Sequence, residues 1–290
     1  MRRSTEKQGE GEQPESRMRE LGLDETEQQE VKQRTRPGAV VLHEAIREEG
    51  ERELRRPVSA LAWSGLASGL SMGFSLIAEG LIQASLPDKP WRPLLTKLGY
   101  TVGFLIVVLG HQQLFTENTL TAVLPLLNKR NAANLRRLLR LWVVVLVTNL
   151  VGGFLVAWVL GHTEVFKPDV QHAFTEISLK SMEGRFGIHF LRAIFAGWLI
   201  ALMVWLLPGA KSSEISVIFF ITYLVGLGEL VHVIIGSVYM FYLVTTGAAS
   251  WGAYFGQFMI PTLLGNIVGG VSLVAALNYG QVAPQANRKP

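Results

Sequence analysis

Apolar residues gather in six long blocks, which lie near residues 57–84, 98–127, 138–161, 188–207, 215–247 and 253–279. Each block has about 20 residues or more, which is the length of helix that crosses a hydrocarbon core about 30 Å thick. A soluble chain of similar length divides its apolar residues among shorter periodic elements. The pattern therefore predicts an all-α integral membrane protein with six transmembrane helices.

Two of the blocks, 98–127 and 215–247, are too long for one straight crossing and too short for two. Polar or glycine-rich segments interrupt both blocks midway, "GHQQLFTENT" from Gly110 and "GLGELVHVIIGS" from Gly226. Backbone leaves the helix at membrane depth only where protein buries it or where it lines a polar cavity. We therefore predict two broken helices.

A short internal repeat relates the two halves of the membrane part. "NLVGGFLVA" begins at Asn149 and "NIVGGVSLVA" begins at Asn266, an offset of 117 residues. The halves 57–162 and 188–280 each hold a whole span, a broken span and a span with this motif, so three spans per half give them opposite orientations. Inverted repeats with broken helices at matching positions are typical of transporters whose path lies near the midplane. The repeated glycines are best explained by close helix packing.

Charge along the chain sets the expected orientation. The segment 128–140, "NKRNAANLRRLLR", has five basic residues and no acidic one, so the positive-inside rule places it in the cytoplasm. Both termini are then cytoplasmic, and the loops 85–97 and 162–187 lie outside. The net charge of +4 does not indicate a nucleic-acid partner, because the basic residues flank apolar spans.

The first 56 residues differ in kind from the rest. They contain twelve Lys or Arg and fourteen Asp or Glu, with few large apolar side chains. Such a segment buries too little apolar surface to offset its chain entropy, which predicts a largely disordered cytoplasmic tail with a possible helix at 40–56. A regulatory or partner-binding role is the alternative. Residues 281–290 form a second, short cytoplasmic tail.

The two interruptions hold the residues with the clearest chemical potential. His232 lies in the second, and the repeat offset of 117 brings Thr116, in the first, to position 233, beside His232. The Thr116 hydroxyl can donate to an anion or to His232, while Leu114 and Phe115 can narrow a pore. In the structural alternative, His232 is a hydrogen-bonded core residue, and Thr116 and Asn118 cap a half-helix.

Intramembrane charges supply the remaining candidates. Arg185 stands at the outer end of the fourth span and can draw anions into a vestibule, and Arg192 lies deeper, where pairing is expected. Structural pairing is also favoured over proton relay for Glu79 and Glu229. Glu117 would repel an anion in the path, so we expect it to face a partner such as a backbone amide or a neighbouring subunit.

Enzyme and metal motifs do not fit this sequence. It has no Cys, and its six His residues show no pair at i, i+4. The sequence also contains no P-loop motif. We predict a non-enzymatic protein without a cofactor or metal ion.

At "LFTENTLTAVLP", "HVIIGSV" and the two Asn-x-Val-Gly-Gly repeats, residues 57–280 resemble the formate/nitrite transporter family, most closely its YfdC-type inner-membrane branch. The resemblance implies an aquaporin-like fold and a homopentamer with one pore per protomer, in the inner (plasma) membrane of a bacterium. Members of this family move small monovalent anions such as formate, nitrite, hydrosulfide or lactate, several of them together with protons.

The resemblance also implies positions along the pore. Leu114–Thr116 match the family's first broken loop, and His232 matches its central histidine. Tyr100 falls at an aromatic constriction on the cytoplasmic side, and Val225 falls at the matching position of the second half. Arg185 stands where the family has a vestibule lysine.

Several polar pore positions depart from the family pattern. Glu117 replaces a small residue, Val231 replaces a Glu before the histidine, and Gly236 replaces an Asn four residues after it. Ala201 stands at the position of a pore Asn. The resemblance thus implies a retained scaffold with changed pore contacts, which leaves the identity of the anion open.

These observations together predict a channel or transporter for small monovalent weak-acid anions, with proton coupling through His232. A pore for small neutral solutes or water is one alternative. A membrane scaffold or sensor that keeps the transporter fold is another.

Overall fold

A computed structural model describes residues 21–22, 24–34 and 38–275 of the chain. The α-helices among them are α1 (Glu25–Arg34), α2 (Ala39–Arg55), α3 (Val58–Ser85), α4 (Arg92–Leu109), α5 (Asn118–Thr121), α6 (Leu124–Asn128), α7 (Ala132–His162), α8 (Pro168–Ser181), α9 (Phe186–Leu206), α10 (Glu214–Leu227), α11 (Val233–Thr245), α12 (Trp251–Ala253) and α13 (Ile260–Ile267). A 3-10 turn follows α9 at Leu207–Gly209, and π-helical segments flank α13 at Tyr254–Met259 and Val268–Ala275. The predicted all-α class is confirmed for these residues.

Four helical segments in the described ranges are long and apolar enough to cross a membrane: Val58–Ser85, Arg92–Leu109, Ala132–His162 and Phe186–Gly209. Two shorter apolar helices, α10 and α11, follow each other along the chain and are separated by the non-helical residues 228–232. Many large apolar side chains on the long helices face outward, such as Trp63 and Val143 at 73% and 61% exposure. The membrane protein predicted from the apolar blocks is thus confirmed.

The N-terminal segment contains helix α1, although its composition predicts disorder. A reciprocal capping box starts this helix: the Asp24 N–H donates to Glu27 Oε2 at 2.9 Å, and the Glu27 N–H donates to Asp24 Oδ1 at 2.8 Å. Capping of this kind stabilises a helix locally without any apolar core. The predictions for residues 1–20 and 281–290 lie outside the described residues.

Helix α2 corresponds to the predicted helix at 40–56, with bounds that differ by one residue at each end. It packs against the membrane part of the chain. Its contacts are with α5, α6, α7 and α9. Ile46 is fully buried, and a Cβ on Gly50 would lie 2.0 Å from the carbonyl oxygen of Thr121. The charged face of α2 holds its own ion pairs, and the Arg47 guanidinium lowers the pKa of the Glu44 carboxyl by hydrogen bonding to it. This part of the tail is a docked helix.

Helix α8 stands within the segment 162–187, which the sequence indicates only as an outer loop. Pro168 occupies its first turn, and Val170, Phe174 and Ile177 form a buried face. The helix packs against α3 and α11. Its 14 residues are too few and too polar to form an apolar block, so hydropathy gives no sign of it.

The glycines of the repeat let helices meet at backbone distance. A Cβ on Gly152 would lie 2.5 Å from the carbonyl oxygen of Leu66 on α3. A Cβ on Gly269 would lie 2.1 Å from the carbonyl oxygen of Ile194 on α9. Both distances are shorter than any real carbon–oxygen contact, so the predicted packing role of these glycines is confirmed.

Candidate functional site

The chain leaves the helix after α4 and after α10 through the same backbone turn. His111 has φ 48° and Glu229 has φ 51°, a left-handed conformation that is uncommon for residues other than glycine. After α4, the N–H of Gln112 donates to the carbonyl of Val107 at 2.9 Å. After α10, Leu230 donates to Val225 in the same way at 3.0 Å. Both turns satisfy carbonyls at a helix end, as in a Schellman motif.

Asn149 holds the first non-helical segment, 110–117, in place. Its Oδ1 accepts the N–H of Phe115 at 2.9 Å, and its Nδ2 donates to the carbonyls of Gln113 and Gly65, both at 2.8 Å. The side chain is fully buried. One amide thus satisfies two backbone groups of the non-helical segment and ties the segment to α3 through the carbonyl of Gly65.

Asn266 holds the second non-helical segment, 228–232, in place in the same way. Its Oδ1 accepts the N–H of Val233 at 2.8 Å, and its Nδ2 donates to the carbonyls of Val231 at 3.0 Å and Ala193 at 2.8 Å. The repeat predicts a packing role for its glycines and, by itself, no role for its asparagines. The signal was present, because Asn149 and Asn266 are the first residues of the repeated motif.

His232 and Thr116 meet where the two segments approach each other. His232 Nε2 lies 2.6 Å from Thr116 Oγ1, and both side chains are buried. His232 caps α11, where its Nδ1 accepts the N–H of Ile234 at 3.3 Å. Because Nδ1 accepts, Nε2 carries the proton in the neutral ring and donates to the Thr116 hydroxyl.

Aromatic and apolar side chains surround this pair. The edge of the Phe104 ring faces His232 with ring centroids 5.1 Å apart, and Tyr100 lies 5.4 Å from Phe104. Leu114 and Phe115 are 0% and 1% exposed, which fits the predicted narrow apolar section. A low dielectric around the imidazole and hydroxyl strengthens any hydrogen bond made there.

A cavity of about 420 Å³ opens on one side of the protein and reaches His232. Its wall includes Arg92, Lys97, Tyr100, Lys180, Arg192, Glu229 and Tyr239. The N-terminal half of α4 and the last turn of α8 lie on this side. The charge pattern predicts that this side faces the cell exterior, so we call the cavity the outer cavity.

One of three predicted path residues lines this cavity, and two do not. Tyr100 lines it, on the side that the charge pattern predicts to be outside, whereas the resemblance suggests a constriction on the cytoplasmic side. Val225 is fully buried outside the cavity wall, and the neighbouring Gly226 lines the wall instead. Arg185 precedes α9 as an exposed residue, and it too lies outside the wall.

The cavity is charged, but the charges are balanced. Within the described part of the chain, each Lys or Arg of its wall has a carboxylate partner. The pairs are Lys97–Glu79 at 2.7 Å, Lys180–Glu229 at 2.6 Å, Arg192–Glu229 at 3.9 Å and Arg92–Asp88 at 3.1 Å. Glu79 is fully buried and also accepts a hydrogen bond from Tyr239. Lys97 and Lys180 are not among the predicted site residues, because nothing along the chain shows which loop they face.

The residues around Glu117 have structural contacts. Asn118 donates from Nδ2 to the side chain of Gln113 and to the carbonyl of Leu114, both at 3.1 Å. Gln113 in turn donates to Glu53 of α2 at 2.9 Å. Glu117 Oε1 is shielded from solvent and accepts no hydrogen bond from the described residues. The expected backbone-amide partner for that oxygen is therefore not found among them.

Comparison with known proteins agrees with this architecture. The family model described as "Formate/nitrite transporter" matches residues 40–280. The inner membrane protein YfdC of Escherichia coli (strain K12) is 43% identical over 87% of this chain and 81% of its own length. A probable formate transporter of Methanothermobacter thermautotrophicus is 32% identical over 62% of this chain and 72% of its own.

A solved structure described as a pentameric formate channel with formate bound has the same fold. Its TM-score is 0.67 at 20% sequence identity, with 78% of this chain and 98% of that chain covered. The similarity to YfdC extends over most of the chain, and the family model covers both non-helical segments and both asparagines. This chain belongs to the formate/nitrite transporter family.

Proposed function

We propose that this protein carries small monovalent weak-acid anions of the formate and nitrite kind across the bacterial inner membrane. The observation that carries the proposal is the outer cavity, which ends at the His232–Thr116 hydrogen bond between the two non-helical segments. The descriptions of the relatives support the same substrate class. The solved pentameric channel supports a homopentamer, with lipid around its outer surface.

The proposed architecture has six crossings in two inverted three-helix repeats, 57–162 and 188–280. The matching turns after α4 and α10 support this arrangement, as do the matching hydrogen bonds of Asn149 and Asn266. The basic segment 128–140 supports cytoplasmic termini.

In the proposed mechanism, an anion enters the outer cavity and moves toward His232. The apolar surroundings of Phe104, Leu114 and Phe115 disfavour a bare charge, so the neutral acid is the form that passes. An anion that replaces the Thr116 hydroxyl accepts a hydrogen bond from Nε2–H of His232, and the proton that makes it a neutral acid comes from solvent, so the imidazole itself stays neutral. Thr116 orients the imidazole until the anion arrives.

Uptake into proteoliposomes tests the proposal. Wild-type protein should take up formate, nitrite and other small weak acids, faster when a pH gradient drives protons in the same direction. His232→Ala should reduce this uptake strongly. Thr116→Val, which keeps the shape of the side chain and removes its hydroxyl, should reduce it less. Wild-type rates in both variants, with the oligomer intact by size-exclusion chromatography, would overturn the proposed path.

One observation favours a second candidate function, a pore for small neutral solutes. The carboxylate partners of the wall cations balance the field of the cavity, which weakens the attraction for anions in general. Osmotic swelling of proteoliposomes distinguishes the two functions. Rapid glycerol or urea entry without anion uptake would select the neutral pore.

A further inference from the structure

The ion pairs of the outer cavity fall into two kinds. Glu79 is fully buried and has two donors, Lys97 and Tyr239, so it is fixed. Glu229 is 38% exposed, and its partners Lys180 and Arg192 are 50% and 35% exposed. Solvent-accessible pairs of this second kind are weak and exchange readily.

We propose that Glu229 is a built-in occupant of an outer anion site formed by Lys180 and Arg192, and that its carboxylate leaves when a small oxyanion enters. The inference rests on the proposed anion transport and adds to it a binding site, a competitor and a substrate class. Lys180 stands in the last turn of α8, and Arg192 lies on α9. Glu229 reaches both from the turn that precedes His232.

The geometry of the occupant indicates the class of ligand. Glu229 Oε1 lies 2.6 Å from Lys180 Nζ, while Oε2 lies 3.9 Å from Arg192 Nη2. Each cation thus faces a different oxygen of one planar group. Formate, nitrite and short monocarboxylates can reproduce this arrangement, whereas hydrosulfide and chloride have one heavy atom each and cannot offer a separate acceptor to each cation.

The backbone at Glu229 supports a role for its side chain. With φ 51°, this residue has a conformation that glycine adopts most readily. The turn requires this backbone conformation but does not require a glutamate, so the Glu229 side chain is a candidate for function. The tether also keeps its carboxylate near the cations at an effective concentration in about the millimolar range. Free anions at comparable concentration can therefore compete with it.

The test compares KM values for uptake by the full-length protein in proteoliposomes. Glu229→Gln and Glu229→Gly both remove the competitor, and the glycine variant suits the left-handed backbone, so folding is not at risk. Each should lower KM for formate and nitrite by about three- to fivefold, the factor that an exposed ion pair contributes. Glu183→Gln removes an equal charge from the same cavity wall and should lower KM less.

Two further measurements separate displacement from a general charge effect. Lys180→Met combined with Glu229→Gln should lose the gain, because no Lys180 cation remains to be freed. Hydrosulfide uptake in Glu229→Gln should change no more than in Glu183→Gln.

An unchanged or raised KM for formate and nitrite in both Glu229 variants, with wild-type uptake intact, would overturn the inference alone. It would mean that Glu229 positions Lys180 and does not compete with the substrate. The absence of anion uptake by the wild type would overturn the proposed function, and the inference with it.

Discussion

Replacing Asn149 by Ala removes the side chain that fixes the first non-helical segment. Three hydrogen bonds of 2.8 to 2.9 Å disappear, which leaves the N–H of Phe115 and the carbonyls of Gln113 and Gly65 without this partner. A buried polar group that loses its partner costs about 1–3 kcal/mol. The Gly65 carbonyl lies within α3 and keeps its helical donor, so the loss comes mainly from Phe115 and Gln113, and we expect about 2–6 kcal/mol in total.

Thermal unfolding in detergent measures this loss. For a protein of this size, we expect the Tm of Asn149→Ala to fall by about 10 °C or more. Asn266→Ala should fall by a similar amount, because its amide makes the same three contacts. Thr148→Ala is the matched control, since its hydroxyl donates only to carbonyls of its own helix. The reasoning would be refuted if either asparagine variant lost no more stability than this control.

Three other substitutions have defined outcomes. His111→Gly removes the steric cost of a left-handed backbone and should raise the Tm by about 2–4 °C in the same assay. An unchanged Tm would mean that His111 carries no backbone strain. Gly50→Leu places side-chain atoms against the Thr121 carbonyl and should separate α2 from α5. The natural sequence has no cysteine, so Thr121→Cys introduces a single thiol, which is buried while α2 is docked and which a maleimide should label once α2 separates. Equal labelling with and without Gly50→Leu would argue against this separation. Tyr239→Phe removes one of two donors to buried Glu79 and should destabilise by about 1–3 kcal/mol in chemical unfolding, whereas a neutral result would mean that Lys97 alone suffices.

The sequence predicted the helical class, the membrane setting and the residues at which the helices end. Apolar blocks longer than one crossing require an interruption, and polar residues within a block show where it lies. The approach of Thr116 to His232 also followed from the repeat offset, since related halves bring matching segments together. Each of these predictions depends on a regularity along the chain.

The cavity wall could not be predicted in the same way. Lys97 and Glu79 are 18 residues apart, and Lys180 and Glu229 are 49 apart, with no periodic pattern that joins them. The proximity of Lys180 to Glu229 depends on where α8 packs, and α8 is too short and polar to appear in hydropathy. The exposed position of Arg185 and the docking of α2 likewise depend on tertiary contacts that a single sequence does not show.

The two halves keep one backbone scaffold and differ in the side chains that it presents. By the structural correspondence of the turns, His111 matches Glu229 and Leu114 matches His232, an offset of 118. The asparagine amides satisfy matching backbone groups of both segments, so the segments depend less on their own side chains for that purpose. Those side chains are then free to diverge. One segment supplies apolar groups and a hydroxyl, the other supplies an imidazole and a displaceable carboxylate, and the 2.6 Å hydrogen bond from His232 to Thr116 joins them.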